Sequence, residues 1–264
     1  MKPIIFSIGS FDIYGYGLMI ALGIIAGIVL AEKRAPKLGL DPDHVFNIGM
    51  WGAGLGLVGA KILYWIVELP SIIEDPSQIL DIGNGFVVYG GIIGGIIGAI
   101  LYCRRKKIRF LQYFDLVMPS VALGQAFGRI GCLLAGCCYG RETDGWFHIV
   151  FTESMIAPNG VKLIPTQLIS SGADLLHCLA LLWIAKRAKG DGQVGGCYLM
   201  FYSVGRTLIE LLRNDPRGAV GGLSTSQFIS LFIFLIGAAM VVICGRKGKA
   251  QPVVTEVQEA EVQE

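Results

Sequence analysis

Long apolar segments, separated by short polar ones, dominate this chain. Seven of the apolar segments approach the ~20 residues that an α-helix needs to cross the hydrocarbon core of a bilayer. They cover residues 13–31, 46–67, 86–102, 114–134, 168–185, 195–212 and 227–244. The sequence therefore predicts an all-α integral membrane protein with about seven transmembrane helices.

The composition agrees with this prediction. Hydrophobic residues make up 53% of the 264 residues and charged residues 16%, which is typical of polytopic membrane proteins. A net charge of +2 is too small to indicate nucleic acid binding. The residues after Lys249 are polar, acidic and free of aromatic side chains. We therefore expect a single membrane domain over 1–249 and a disordered, acidic cytoplasmic tail over 250–264.

The distribution of lysine and arginine predicts the orientation. With the N-terminus outside, 14 of the 22 basic residues fall in cytoplasmic segments and five in outer segments. Cytoplasmic loops of membrane proteins carry an excess of such residues. The sequence therefore predicts an outside N-terminus, a cytoplasmic C-terminus and long outer loops.

Arg129 lies inside the fourth apolar segment, in the stretch GQAFGRIGCLLAGCCYGR. A guanidinium at bilayer depth costs at least ~2.5 kcal/mol, so a charge retained there usually serves a function. Its planar fork matches phosphate oxygens, and the nearby glycines allow a ligand to approach the backbone. The alternative is a buried ion pair with an acidic residue such as Asp115 or Glu210.

The same stretch contains Cys132, Cys137 and Cys138, three of seven cysteines. Their spacing lacks both a CxxC pair and a nearby histidine, so metal binding or redox chemistry is weakly supported. We expect small thiols packed among helices and no metal site.

The sixth apolar segment and its exit carry Arg206, Glu210 and Arg213. Spacings of four and three residues would place all three side chains on one helical face. Two arginines could then bind an anion while Glu210 orients them or moves a proton. An isolated interfacial ion pair is the competing interpretation.

Two tyrosines lie at the outer ends of predicted helices, each beside glycine. Tyr16 could contact a ligand or anchor its helix at the interface, as tyrosines commonly do. Tyr89 precedes a glycine-rich segment and could be a packing residue or a proton acceptor. The sequence alone leaves both alternatives open.

Taken together, these motifs resemble those of the bacterial phosphatidylglycerol:prolipoprotein diacylglyceryl transferases, over nearly the whole chain. The motifs are YGLM at 16–19, GLVGAKILY at 56–64, YGG at 89–91, GRIGC at 128–132, PTQL at 165–168, GRTLIELLR at 205–213 and LSTSQ at 223–227.

The resemblance implies an enzyme of lipoprotein maturation in the bacterial inner membrane. Such an enzyme transfers diacylglyceryl from phosphatidylglycerol to the thiol of the lipobox cysteine, next to the prolipoprotein signal peptide. This first maturation step forms a thioether and releases glycerol 1-phosphate. Both substrates would reach the site from the outer leaflet, among membrane lipids and periplasmic loops. No cofactor is expected, because the substrates supply both nucleophile and leaving group.

The resemblance also implies the residues of the site. The family's functional positions carry over to Tyr16, Arg129, Gly140, Arg206 and Glu210, and we add Arg213 to the substrate-binding set. Many members have a histidine, proposed to accept the thiol proton, where this chain has Tyr89.

A tyrosine phenol ordinarily ionises near pH ~10, so it is a weaker base than histidine unless arginines favour the phenolate. We therefore expect Tyr89 or Glu210 to take the thiol proton. Ile169 and Ser170 stand where tyrosine and glutamate are usual. Two other functions remain open, a lipid or anion transporter and an inactive relative that only binds lipoprotein precursors.

Overall fold

The computed structural model describes residues 4–8, 11–79, 85–154, 156–214, 219–220 and 223–248. Within these ranges the chain forms eight α-helices, and each of the seven predicted apolar segments lies on one of them. The helices are α1 (Gly15–Arg34), α2 (Asp43–Val67), α3 (Leu69–Glu74), α4 (Val88–Arg105), α5 (Phe110–Ala135), α6 (Thr166–Ala185), α7 (Gln193–Glu210) and α8 (Thr225–Lys247).

Five helices, α1, α2, α5, α6 and α8, are long and apolar enough to cross a membrane. The protein is therefore a multi-pass membrane protein. Helices α4 and α7 have 18 residues each, and their assignment as further spans stays a prediction, as does the orientation. The predicted disordered tail over 250–264 lies outside the described residues.

Short strand pairs accompany the helices, which the prediction of an all-α fold did not include. Antiparallel pairs join β1 (Ile4–Ile8) to β2 (Phe11–Tyr14), β3 (Ile149–Val150) to β4 (Lys162–Leu163), and β5 (Ala219–Val220) to β6 (Leu223–Ser224). Strands of two residues are too short to produce a recognisable alternation in the sequence.

The described part of the chain divides into two compact units, the larger within residues 4–31 and 114–248 and the smaller within residues 32–113. The interpretation of 1–249 as a single membrane domain stays a prediction.

In the smaller unit, glycines bring α2 and α4 into backbone contact. A Cβ atom on Gly94 would collide with the carbonyl oxygen of Leu55, and one on Gly59 with that of Gly90. Small residues permit such close helix contacts in membranes.

In the larger unit, similar contacts join two helix pairs. A Cβ on Gly23 of α1 would lie 3.1 Å from the carbonyl oxygen of Gly124 in α5. Between α7 and α8, a Cβ on Gly196 would lie 2.8 Å from the carbonyl oxygen of Gly237. These contacts fix α1 against α5 and α7 against α8.

A carboxylate also joins α5 to the start of α7. Asp115 accepts hydrogen bonds from the backbone N–H groups of Gly192 and Gly195, at 2.7 and 2.8 Å. The first N–H groups of a helix have no partner within that helix. Asp115 therefore satisfies donors at the N-terminus of α7.

Candidate functional site

A cavity of about 690 Å³ lies in the larger unit, lined by α6, α7 and Arg129 of α5. Its walls are mostly aliphatic and aromatic, and they include Leu176, Phe201 and Leu208. Arg129 and Arg206 both contribute to the lining. A mostly apolar cavity of this size with a few charged groups is typical of ligand-binding sites.

Arg206 is held by partners on two helices. Its Nη1 lies 2.6 Å from Oε2 of Glu210, one turn further along α7, and its Nη2 donates to Oγ of Ser226 on α8 at 2.6 Å. The side chains of Arg206 and Glu210 are only 12% and 7% exposed. The guanidinium is therefore fixed in orientation within a poorly hydrated environment.

Arg129 has a looser partner. Its Nε lies 3.8 Å from Oδ2 of Asp174 on α6, and the two side chains are 25% and 19% exposed. This separation permits Coulomb attraction but exceeds the length of a good hydrogen bond. On α5, the carbonyl oxygen of Ala126 accepts a 2.9 Å hydrogen bond from Ser171 Oγ, which connects α5 to α6 near this pair.

Each arginine thus has its own carboxylate, yet both line one cavity. Pairing alone would favour a purely structural role for the arginines. Both arginines nevertheless line the same cavity, and their joint role in binding a ligand stays a prediction.

Arg213 does not lie on the same helical face as Arg206 and Glu210, so that prediction was wrong. Helix α7 ends at Glu210, and Arg213 instead forms an isolated antiparallel bridge with Gly140. The adjacent Arg141 N–H donates to the carbonyl oxygen of Leu212 at 2.9 Å. Arg213 is buried, with 9% of its surface exposed.

Gly140 has a steric reason to be glycine. A Cβ there would lie 2.5 Å from the carbonyl oxygen of Ile164 and 2.8 Å from Cγ2 of Thr166. The Gly140 N–H donates to that same carbonyl at 3.2 Å. The structure therefore explains Gly140 by close backbone packing, and a contact with substrate stays a prediction.

The two tyrosines lie in different units. Tyr16 is exposed in the first turn of α1, with Cδ2 of its ring 3.2 Å from the position of a Cβ on Gly131. Tyr89 is exposed in the first turn of α4, which belongs to the smaller unit. The structure thus places Tyr16 beside the end of α5 that carries Arg129, and the role of Tyr89 stays a prediction.

The three cysteines are brought together. The Sγ atoms of Cys132, Cys137 and Cys138 lie within 4.8 Å of one another. Hydrogen bonds from the other two thiols, together with the charge and hydrogen bond of the nearby Arg213 guanidinium, hold the pKa of Cys138 well below its ordinary value. The sequence predicted small thiols packed among helices but did not predict that these three sulfur atoms lie together.

Asp174 and His177 also line the cavity, although the sequence motifs did not assign them to the site. His177 stacks on Tyr198 with ring centroids 5.1 Å apart. The sequence did contain a signal for these two residues, because ionisable residues within an apolar span usually mark a functional site. Ile169 and Ser170, the departures after PTQL, also line the cavity.

Comparison with known proteins identifies the family. A family model described as prolipoprotein diacylglyceryl transferase matches residues 3–243. A phosphatidylglycerol–prolipoprotein diacylglyceryl transferase of Clostridium tetani is 51% identical over 90% of this chain and 95% of its own length. A second, from Clostridium perfringens, is 47% identical over 95% of this chain and 98% of its own length. A third, from Finegoldia magna, is 36% identical over 91% of this chain and 94% of its own length. This chain therefore belongs to the prolipoprotein diacylglyceryl transferase family.

Proposed function

We propose that this protein is a transferase that moves the diacylglyceryl group of phosphatidylglycerol to the lipobox cysteine of prolipoproteins. The cysteine sulfur attacks the glyceryl carbon next to the phosphate, so a C–S bond forms as the C–O bond to phosphate breaks. Glycerol 1-phosphate leaves with the electron pair, and a protein group takes the thiol proton. The family match and the relatives' names support this assignment.

The observation that carries the mechanism is the pair of arginines in one largely apolar cavity. The apolar walls suit acyl chains, and the guanidinium groups of Arg129 and Arg206 suit a phosphate. Negative charge grows on the departing phosphate as the C–O bond breaks. Fixed positive groups stabilise such charge more strongly where water is scarce.

The tight contact between Glu210 and Arg206 supports a positioning role for Glu210. Oε2 of Glu210 lies 2.6 Å from Nη1 of Arg206, so this oxygen is already occupied by the ion pair. We therefore assign the thiol proton to Tyr89, with Glu210 as the alternative. Tyr16, Gly140 and Arg213 are proposed to contact the lipid head group.

We further propose seven spans, with α4 and α7 added to the five long apolar helices, and the N-terminus outside. This orientation places the Glu210 end of α7 and the loop after α5 on the outer side. The cavity would then take both substrates from the outer leaflet of the bacterial inner membrane, beside the signal peptide and surrounding lipids.

Purified protein incubated with phosphatidylglycerol and a cysteine-containing precursor peptide tests the function. We expect the peptide mass to increase by one diacylglyceryl group and glycerol 1-phosphate to appear in equal amount. Retained transfer in an Arg129→Gln variant at normal protein level would contradict the mechanism. Movement of lipid across vesicles without a lipidated peptide would indicate a transporter. Peptide binding without any mass increase would indicate an inactive relative.

A further inference from the structure

Three thiols converge at the C-terminal end of α5, and the proposed transfer reaction uses none of them. Cys132 lies in the last turn of the helix, and Cys137 and Cys138 follow its end. Their sulfur atoms all lie within 4.8 Å of one another. All three residues are half-buried, so they are sheltered from bulk solvent but within reach of a small solute.

The backbone around the thiols is held in a defined conformation. Gly136 has a φ of 71°, and the Cys137 N–H donates to the carbonyl oxygen of Cys132 at 3.1 Å. Cys138 has a φ of 60°, a region that residues other than glycine seldom occupy. Such strain persists only where surrounding contacts determine the conformation, and it is concentrated at functional sites.

Two buried side chains supply those contacts. Thr166 Oγ1 donates to the carbonyl oxygen of Cys138 at 2.7 Å, and Gln167 Nε2 donates to that of Cys137 at 2.8 Å. Both donors are 1% exposed. The loop is therefore fixed from the first turn of α6, and the convergence of the thiols is built into the fold.

We infer that Cys132, Cys137 and Cys138 form a binding site for one thiophilic metal ion of the zinc class. Zinc–sulfur bonds of about 2.3 Å place tetrahedral ligands roughly 3.8 Å apart. The sulfur atoms, which lie within 4.8 Å of one another, are at most about 1 Å farther apart than this spacing, and water can fill the fourth position. Binding releases the thiol protons, and the resulting anionic complex lies beside the guanidinium of Arg213, which hydrogen bonds to Cys138. This inference replaces the sequence expectation that the thiols only pack.

Cadmium titration of the full-length protein in detergent tests the inference, because a thiolate–cadmium complex absorbs in the ultraviolet. Reduced, metal-free protein should bind one Cd²⁺, with an absorption band that reaches its maximum at one equivalent. Added Zn²⁺ should compete with Cd²⁺ for the site and so remove the absorption band. Replacing Cys132, Cys137 or Cys138 singly with serine should lower the band by about one third and weaken binding. Arg213→Gln should weaken it by about 10- to 100-fold, as loss of an outer-shell partner does.

The matched control is Cys197→Ser, which removes a half-buried cysteine of α7 that lies outside the cluster. It should bind Cd²⁺ like the unaltered protein. A second measurement needs no variant: bound Zn²⁺ should protect three thiols from alkylation, and peptide mass spectrometry should locate them at the cluster. The inference fails if binding is not stoichiometric, if it survives replacement of all three cysteines, or if the protected thiols lie elsewhere. Transfer activity is read separately, so a negative metal result leaves the proposed function intact.

Discussion

Replacing Glu210 with glutamine should destabilise the protein more than the equivalent change at Asp174. Glu210→Gln removes one charge and almost no volume, leaving the guanidinium of Arg206 without its neutralising partner. Both side chains of this pair are nearly buried and lie 2.6 Å apart. Breaking a buried ion pair typically costs about 3–5 kcal/mol. We expect about 3 kcal/mol, because the amide oxygen of glutamine still accepts a hydrogen bond.

Asp174→Asn provides the matched comparison. The Arg129–Asp174 pair is separated by 3.8 Å and is roughly one fifth to one quarter exposed. Its loss should cost about 1 kcal/mol or less, as for partly solvated pairs without a direct hydrogen bond. Denaturant unfolding in detergent micelles, followed by circular dichroism, measures both free energies of unfolding. Equal losses in the two variants would refute the reasoning that burial and distance set the cost.

The same Glu210→Gln variant separates positioning from proton transfer. If Glu210 orients Arg206, kcat should fall by up to about 10²–10³-fold, as when a transition-state donor is lost, while the shape of the pH–rate profile is kept. If Glu210 accepts the thiol proton, the ionisation that controls the acidic limb, where the rate rises with pH, should disappear from the profile. Rates of peptide lipidation measured across pH decide between these outcomes.

Three further predictions concern other parts of the molecule. Arg129→Gln should lower kcat of lipidation by about 10²–10³-fold. Arg129→Lys should restore only part of kcat, because an ammonium lacks the planar fork of the guanidinium. Full activity in the glutamine variant would contradict this prediction. Gly94→Ala should destabilise the protein in thermal unfolding by about 1–3 kcal/mol, because its Cβ meets the carbonyl oxygen of Leu55. The control Gly54→Ala faces open space and should be neutral or up to about 1 kcal/mol stabilising, so equal effects would argue against the close contact. Tyr89→Phe should abolish most of the transfer activity. Tyr89→His should retain transfer, with a rate that rises near pH ~6.5, the ordinary range of imidazole. An active phenylalanine variant would exclude Tyr89 as the base.

Much of the helical architecture could be predicted from the sequence. Apolar segments of near-bilayer length have few alternative structures, because a backbone in lipid must satisfy its own hydrogen bonds. The presence of Arg129 and Arg206 in such segments was likewise visible, since charges there are costly. Both arginines line the cavity.

Features that depend on contacts between distant segments could not be predicted. Helical spacing suggested that Arg213 continues the face of α7, but the helix ends at Glu210 and the chain pairs with Gly140 instead. The pairing of Arg129 with Asp174 depends on how α5 and α6 pack. The gathering of the thiols depends on Thr166 and Gln167, which follow them by about thirty residues.

The backbone contact between Gly196 and Gly237 has a consequence for how a lipid enters. Helices α7 and α8 touch there without intervening side chains, and Arg206 reaches across to Ser226. Separating these helices would break the contact and displace the guanidinium needed by the phosphate. Any widening that admits two acyl chains should therefore leave α7 and α8 in contact.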